Sequence, residues 1–121
     1  EPKSLSDLRG LPMVGYVQDM IFDKELDYLE PLGFQRVQLS SNSISVQMNL
    51  LRQGAGVGIV HDFALPFAPE LRRILTEQLT LKRSFFLIRS VDDRRNRRLN
   101  LFAEVLLSGV RAEILRLEAL A

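Results

Sequence analysis

The segment Arg36-Val37-Gln38-Leu39-Ser40-Ser41-Asn42-Ser43 decides the fold. Its first four residues alternate polar and apolar side chains, as a strand does, and the next four are residue types that cap helices. An apolar stripe at helical spacing follows over 44–53, and a second apolar run occupies 57–60. The order strand, capped helix, strand predicts a βαβ unit, hence a parallel pair of strands with a right-handed crossover.

The stripe of this helix consists of Ile44, Met48 and Leu51, whereas Gln47 and Arg52 are expected away from it. Gly54 is expected to end the helix. The segment Gly54-Ala55-Gly56-Val57-Gly58 superficially resembles a dinucleotide-binding fingerprint, but it follows a helix and enters a strand, the reverse of that motif's order. A helix stop and tight backbone packing explain these glycines better.

Other elements are predicted on both sides of this unit. Residues 13–17 are expected to form a buried strand, and 79–81 and 85–88 two short ones. A helix is expected over 23–32, with Leu26, Leu29 and Phe22 on one face and an end at Pro31 and Gly33. A polar connector over 92–98 precedes the longest helix, 99–120.

The longest helix carries more apolar residues than a surface helix needs. Its stripe and the residues that widen it are Phe102, Leu106, Val110, Leu117, Leu101, Val105 and Ile114. Seven such side chains left in water would forfeit on the order of 10 kcal/mol. We therefore expect that part of the surface this helix covers lies outside this chain. The exposed stripe Phe102, Leu106, Val110 and Leu117 should pair with another copy or with another segment of the parent protein.

Composition bounds the classes of function. The net charge of +1 gives no electrostatic case for nucleic-acid binding by this chain alone. The absence of cysteine excludes disulfides, thiolate metal sites and a cysteine nucleophile. No uncharged apolar run is long enough to cross a bilayer, and Glu1-Pro2-Lys3-Ser4 does not resemble a signal peptide. The lack of cysteine fits a reducing compartment such as the cytoplasm, which is the location we expect, although a periplasmic protein could also lack cysteine.

The best candidate site is the loop Ser40-Ser41-Asn42-Ser43, between a strand's carboxyl end and a helix's amino end. Free backbone N–H groups and the helix dipole favour an anion there. The alternative is that these residues only cap the helix. His61-Asp62 lies just after a strand and near the same crevice, but neighbouring strand residues point to opposite faces and do not form a catalytic pair without a turn.

Two further groups of charged residues carry weaker predictions. The basic run Arg94, Arg95, Arg97 and Arg98 is conceivable as a phosphate site, although a solvated loop balanced by neighbouring aspartates explains it better. Asp19 and Asp23 have no further residues to support a paired-carboxylate role. No metal-ligand spacing and no Ser/His/acid set is readable, so neither a metal nor a cofactor is expected, and the chain is not expected to be an enzyme.

Several segments, in order, resemble LysR-type transcriptional regulators. Residues 6–12, Ser-Asp-Leu-Arg-Gly-Leu-Pro, are similar to the "sp-DL-G-P" entry into the second subdomain of that family's effector domain. Residues 37–42 and 48–60 resemble its "v.GlGia" segment with the helix before it. Residues 97–102 resemble the start of the helix that closes the domain. In that bacterial family the effector domain resembles type 2 periplasmic binding proteins, with two α/β subdomains around a small molecule.

The resemblance implies a division of the chain. Residues 1–12 would be a hinge segment, 13–90 the second effector-binding subdomain, and 91–121 a connector and C-terminal helix that packs on the first subdomain. We expect most of that first subdomain and a DNA-binding winged helix-turn-helix to lie outside this chain. The implied effector contacts are Ser40, Ser41, Asn42, Ser43, Gln18 and His61, the last at a position where the family usually has "lP".

The expected function is therefore effector sensing by a homo-oligomeric LysR-type regulator, which binds a small anionic organic inducer and modulates transcription. Three alternatives stay open at this point. A periplasmic-type solute-binding protein shares the fold, and an upstream signal peptide would identify it. An enzyme on the same scaffold would need catalytic groups from elsewhere. A structural interaction module would bind no small molecule.

Overall fold

The computed structural model describes residues 2–21, 23–34 and 36–121. Within them, three short strands form one parallel sheet: β1 (Met13–Gly15), β2 (Leu39–Ser40) and β3 (Val57–Gly58). The α-helices are α1 (Leu29–Leu32), α2 (Ile44–Arg52) and α3 (Arg97–Glu118). Single 3₁₀ segments span Leu5–Gly10, Gln18–Met20, Lys24–Leu26, Asp62–Phe67 and Val91–Arg95.

The strand order β2-β1-β3 corrects one detail of the predicted βαβ unit. The strands on either side of α2 do run in the same direction, but they are not neighbours, because β1 lies between them and pairs with both. The central strand of a sheet is covered on both faces. β1 meets this demand, since Met13 and Val14 are almost fully buried and Gly15 is buried as well.

The predicted helix over 23–32 is wrong as a continuous element. The chain forms a 3₁₀ turn at Lys24–Leu26 and then the single turn α1, which contains Pro31 rather than ending at it. Proline has no N–H to donate to the carbonyl of Asp27 four residues back, so helix continuity fails there. The Asp27 carboxylate instead accepts from the backbone N–H of Leu29 at 3.3 Å. Phe22, predicted on the same face, lies outside the described residues.

The end of α2 is confirmed. Gly54 adopts a φ of +74°, its N–H donates to the carbonyl of Leu51, and the N–H of Ala55 donates to the carbonyl of Leu50. This pair of bonds is the Schellman motif, which needs a residue in the left-handed conformation just after the helix. Close backbone packing follows, because a Cβ on Gly56 would overlap the carbonyl oxygen of Pro12.

The face of α2 that packs inward agrees with the prediction at Leu51 but not at Ile44 and Gln47. Gln47 and Leu51 are its buried residues, whereas Ile44, expected on the apolar stripe, is exposed. Gln47 was expected to point away from the core. Its burial is explained by a hydrogen bond, which Gln47 Nε2 donates to the carbonyl of Ser41 at 2.6 Å. A buried amide with a partner avoids most of the desolvation penalty.

The second half of the chain also departs from expectation. Residues 79–81 and 85–88 form no strand, and Phe85, Phe86, Leu87 and Ile88 are all exposed. A strand needs a neighbour for its backbone groups, and within the described residues the sheet ends at β2 and β3. The polar connector is shorter than predicted. It holds the 3₁₀ turn Val91–Arg95, and α3 begins at Arg97.

The apolar core lies beneath the first half of the chain. Leu8, Met13, Leu29, Leu32 and Phe34 form its buried cluster. The helix α3 packs against the 3₁₀ segment Asp62–Phe67 and buries Ala103 and Leu117. Leu117 was expected on the exposed stripe and is buried instead, whereas Phe102, Leu106 and Val110 stay exposed as predicted. The carboxyl ends of β1 and β2 and the amino end of α2 lie at the same edge of the sheet, where the candidate site residues are found.

Candidate functional site

The loops that leave the carboxyl ends of β1 and β2 are joined directly. Because the two strands are parallel and paired, both loops start at the same edge of the sheet. Ser41 N donates to the carbonyl of Gly15 at 3.0 Å, and Val17 N donates to Asn42 Oδ1 at 3.1 Å. The predicted residues Ser41 and Asn42 therefore lie beside Val17, which directly precedes the predicted residue Gln18.

The same loop fixes the amino end of α2. Ser43 is the N-cap residue in an extended conformation, and its backbone N–H donates to Ser41 Oγ at 3.1 Å. Gln47, only 5% exposed, donates a hydrogen bond from its side-chain amide to the Ser41 carbonyl. Sequence analysis missed Gln47, although its spacing of four from Leu51 places both on one helix face. The backbone N–H and the carbonyl of Ser41 are consequently both hydrogen-bonded.

The alternative interpretation, that the loop Ser40–Ser43 only caps α2, agrees with the structure only in part. Ser43, one of the four residues with capping side chains, is the N-cap residue, but its side chain makes no capping hydrogen bond among the described residues. At α3, by contrast, Asn96 Oδ1 accepts from the backbone N–H groups of Arg98 at 3.1 Å and Leu99 at 3.3 Å. The first N–H groups of an α-helix have no intrahelical acceptor. Those of α2 therefore stay available to an external acceptor.

Gln18 begins the 3₁₀ turn Gln18–Met20 and is exposed. It lines a small cavity with Tyr16 and Val37, among other residues. That cavity has a volume of about 10 Å³, which is roughly the space for one water molecule. This cavity is therefore too small for an organic molecule.

His61 lies among aromatic rings. Its imidazole stacks on the ring of Phe63, with the two centroids 4.9 Å apart, and the centroid of the Phe85 ring lies 5.3 Å away. Burial, and secondarily the positive charge of Arg83, hold the pKa of His61 below its ordinary value, against the opposing effect of Asp62. Asp62 itself pairs with Arg73 at 3.4 Å. The imidazole is therefore predominantly neutral at neutral pH and offers no fixed positive charge.

Arg83 is a half-buried cation that sequence analysis did not single out. It forms an ion pair with Asp23 at 3.2 Å. Its charge also opposes the rise in the pKa of Tyr16, which comes first from burial and then from Tyr28. Since Tyr16 follows β1 and His61 follows β3, Arg83 lies close to the carboxyl edge of the sheet. No local pattern around residue 83 indicates this, because the placement depends on a contact across 60 residues.

Comparison with known families decides the assignment. The model of the LysR substrate binding domain matches residues 1–111. The chain belongs to this family. The LysR substrate-binding domain has the type 2 periplasmic-binding-protein-like α/β fold, and the parallel sheet with its flanking helices agrees with it. Comparisons with curated proteins and with solved structures found no significant match.

The family assignment also bears on the class of protein. LysR substrate-binding domains are the effector-sensing parts of regulators, so the match gives this chain an effector-sensing role. In the part of the chain that the structure describes, no group of three or more metal-ligating side chains is present. Across the same residues, no helix combines the length and apolar character that a membrane span requires.

Proposed function

We propose that this LysR substrate-binding domain binds a small anionic organic effector at the carboxyl edge of its sheet. The observation that carries the proposal is the Asn42–Val17 hydrogen bond beside the uncapped amino end of α2. This bond brings two loops together where backbone N–H donors are free. The contacts proposed for the effector are Ser40, Ser41, Asn42, Ser43, Gln18 and His61.

Electrostatics at this edge favours a negative ligand. The amino end of α2 carries a partial positive charge from the helix dipole. Arg83 adds a full positive charge near the ends of β1 and β3. Its pairing with Asp23 offsets part of that charge, so the helix end is the better anchor for a carboxylate.

Effector binding would change the conformation of the other parts of the regulator. Residues 13–90 would form one side of an inter-subdomain cleft, and residues 91–121 would pack on the other subdomain. The exposed face of α3, which includes Phe102 and Val110, is consistent with a partner surface outside this chain. Effector binding would shift the arrangement of the subdomains, then the geometry of a homo-oligomer, and so the occupancy of DNA by a winged helix-turn-helix. Such a regulator would act in the bacterial cytoplasm.

Calorimetry on the intact protein tests the site. A panel of small organic carboxylates would first identify a ligand, and the variants Ser41→Ala and Asn42→Ala would then be titrated. We expect at least tenfold weaker binding with an unchanged circular dichroism spectrum. Asn49→Ala, an exposed position further along α2, is the matched control and should bind as the parent protein does. Equal affinity in all three variants would overturn the site assignment.

A further inference from the structure

A cleft lies at the edge of the sheet opposite the loop Ser40–Ser43. It has a volume of about 450 Å³ and is lined by Arg9, Gly33, Phe34, Arg36 and Gln38. Arg9 precedes β1, and the other four residues precede β2. Because these strands are parallel, the cleft lies at their amino ends, whereas the proposed effector loop lies at their carboxyl ends.

The polar groups that face this cleft are donors. Arg9 and Arg36 are exposed, and within the described residues neither guanidinium group forms a hydrogen bond or an ion pair. Gln38 is oriented by its own bond, since its Oε1 accepts from the backbone N–H of Met13 at 2.7 Å. Its NH₂ group is thereby directed away from Met13. The lining contains no carboxylate among the described residues.

We propose that this cleft binds a small molecule through a phosphate group. Each guanidinium presents a planar fork of N–H donors that matches two oxygens of a phosphate, and two such forks suit a dianion. The Gln38 amide adds neutral donors. The volume of the cleft falls within the range of small-molecule sites, roughly 300–1,000 Å³, so it holds more than the phosphate alone.

The placement makes this site independent of the effector loop. The Arg9–Arg36 cleft and the loop Ser40–Ser43 are reached from opposite edges of the sheet. A phosphate-bearing molecule in the cleft would therefore act as a second ligand of the domain. Failure of one proposal leaves the other unaffected, because no residue is shared.

The test is calorimetric titration of the intact protein with inorganic phosphate and with pyrophosphate, at low and at moderate ionic strength. We expect Arg9→Gln and Arg36→Gln each to weaken binding at least tenfold. Gln38→Glu should abolish binding while it keeps the acceptor for Met13 N–H, so its thermal unfolding should stay close to that of the parent. Arg72→Gln removes an exposed arginine elsewhere and should bind normally.

Three outcomes would overturn the proposal. The first is the absence of binding by either phosphate probe to the parent protein. The second is equal weakening in Arg72→Gln and in the cleft variants, which would show a nonspecific effect of charge. The third is binding of a short DNA duplex that depends on Arg9 and Arg36 while neither phosphate probe competes, which would make the cleft a nucleic-acid contact instead.

Discussion

The side-chain oxygen of Asn42 accepts a 3.1 Å hydrogen bond from the backbone N–H of Val17, and this bond joins the loops that follow two neighbouring strands. The residues are 25 positions apart in the chain. With its oxygen engaged, the amide of Asn42 turns its NH₂ group away from Val17. Asn42 therefore combines two roles, since it positions one loop and offers donors next to the amino end of α2.

Asn42→Asp separates these roles. The carboxylate keeps an acceptor for Val17 N–H and adds a negative charge near the helix amino end, where it is favourable by about 0.3–1 kcal/mol. We expect the free energy of unfolding in urea to stay equal or to rise. Affinity for an anionic effector should fall at least tenfold, because the new charge repels it. Undiminished affinity measured by calorimetry would show that the ligand does not approach this residue.

The bond between Gln47 and Ser41 should matter for stability. Gln47→Leu retains an apolar volume but leaves the Ser41 carbonyl without its partner. A partly buried polar group that loses its partner costs about 1–3 kcal/mol. Urea unfolding should show a loss of that size. Gln53→Leu, at an exposed position after the same helix, should change stability by less than about 0.5 kcal/mol; a similar loss there would argue against a specific role for Gln47.

Local signals were sufficient for part of the fold. The end of α2 at Gly54 depends on the backbone preference of one glycine, and the sequence predicted it. The start of α2 directly after the polar segment Ser40–Ser43 was also predicted from residue types. The family assignment also followed from short segments in order, and the match over residues 1–111 confirms it.

Contacts that the pattern within a segment does not encode explain the rest. The place of β1 between β2 and β3 depends on which strand can be buried on both faces, and periodicity within each strand does not encode this. The burial of Gln47 depends on an acceptor in the preceding loop. Phe85 to Ile88 have the composition of a strand but find no neighbouring strand among the described residues. In each case the structure depends on whether a partner lies outside the segment itself.

Gly56 should tolerate no side chain. An added Cβ would overlap the carbonyl oxygen of Pro12, which itself accepts from Val57 N at 2.9 Å, so neither group can easily move. We expect Gly56→Ala to lower the free energy of unfolding by more than about 2 kcal/mol, a size associated with overpacking. Gly109→Ala is the control in α3, where nothing lies near the added methyl. Alanine should stabilise the helix there by about 0.5–1 kcal/mol. Equal effects at both positions would contradict the close packing.

The lowered pKa of His61 should make the free energy of unfolding depend on pH. Burial and Arg83 lower its pKa in the folded protein below the unfolded value of 6.5. As the pH falls below 6.5, the unfolded chain takes up the proton first, so stability is full above this value and decreases through the folded pKa. His61 is the only histidine, so its NMR titration gives the folded pKa directly. His61→Phe keeps a ring against Phe63 and should remove this part of the pH dependence. A titration midpoint at or above 6.5 would refute the prediction.

The apolar face of α3 should make the isolated chain associate. Phe102 and Val105 are each 64% exposed on this face, and contiguous apolar surface of this kind drives association in water. We expect light scattering to report oligomers of the 121-residue chain that persist on dilution. The double variant Phe102→Lys with Val105→Lys should shift the chain towards monomer. Asn49→Lys with Gln53→Lys adds the same charge at two exposed positions, one in α2 and one just after it, and should not cause this shift. A parent chain that is monomeric at every concentration would show that this face needs no partner.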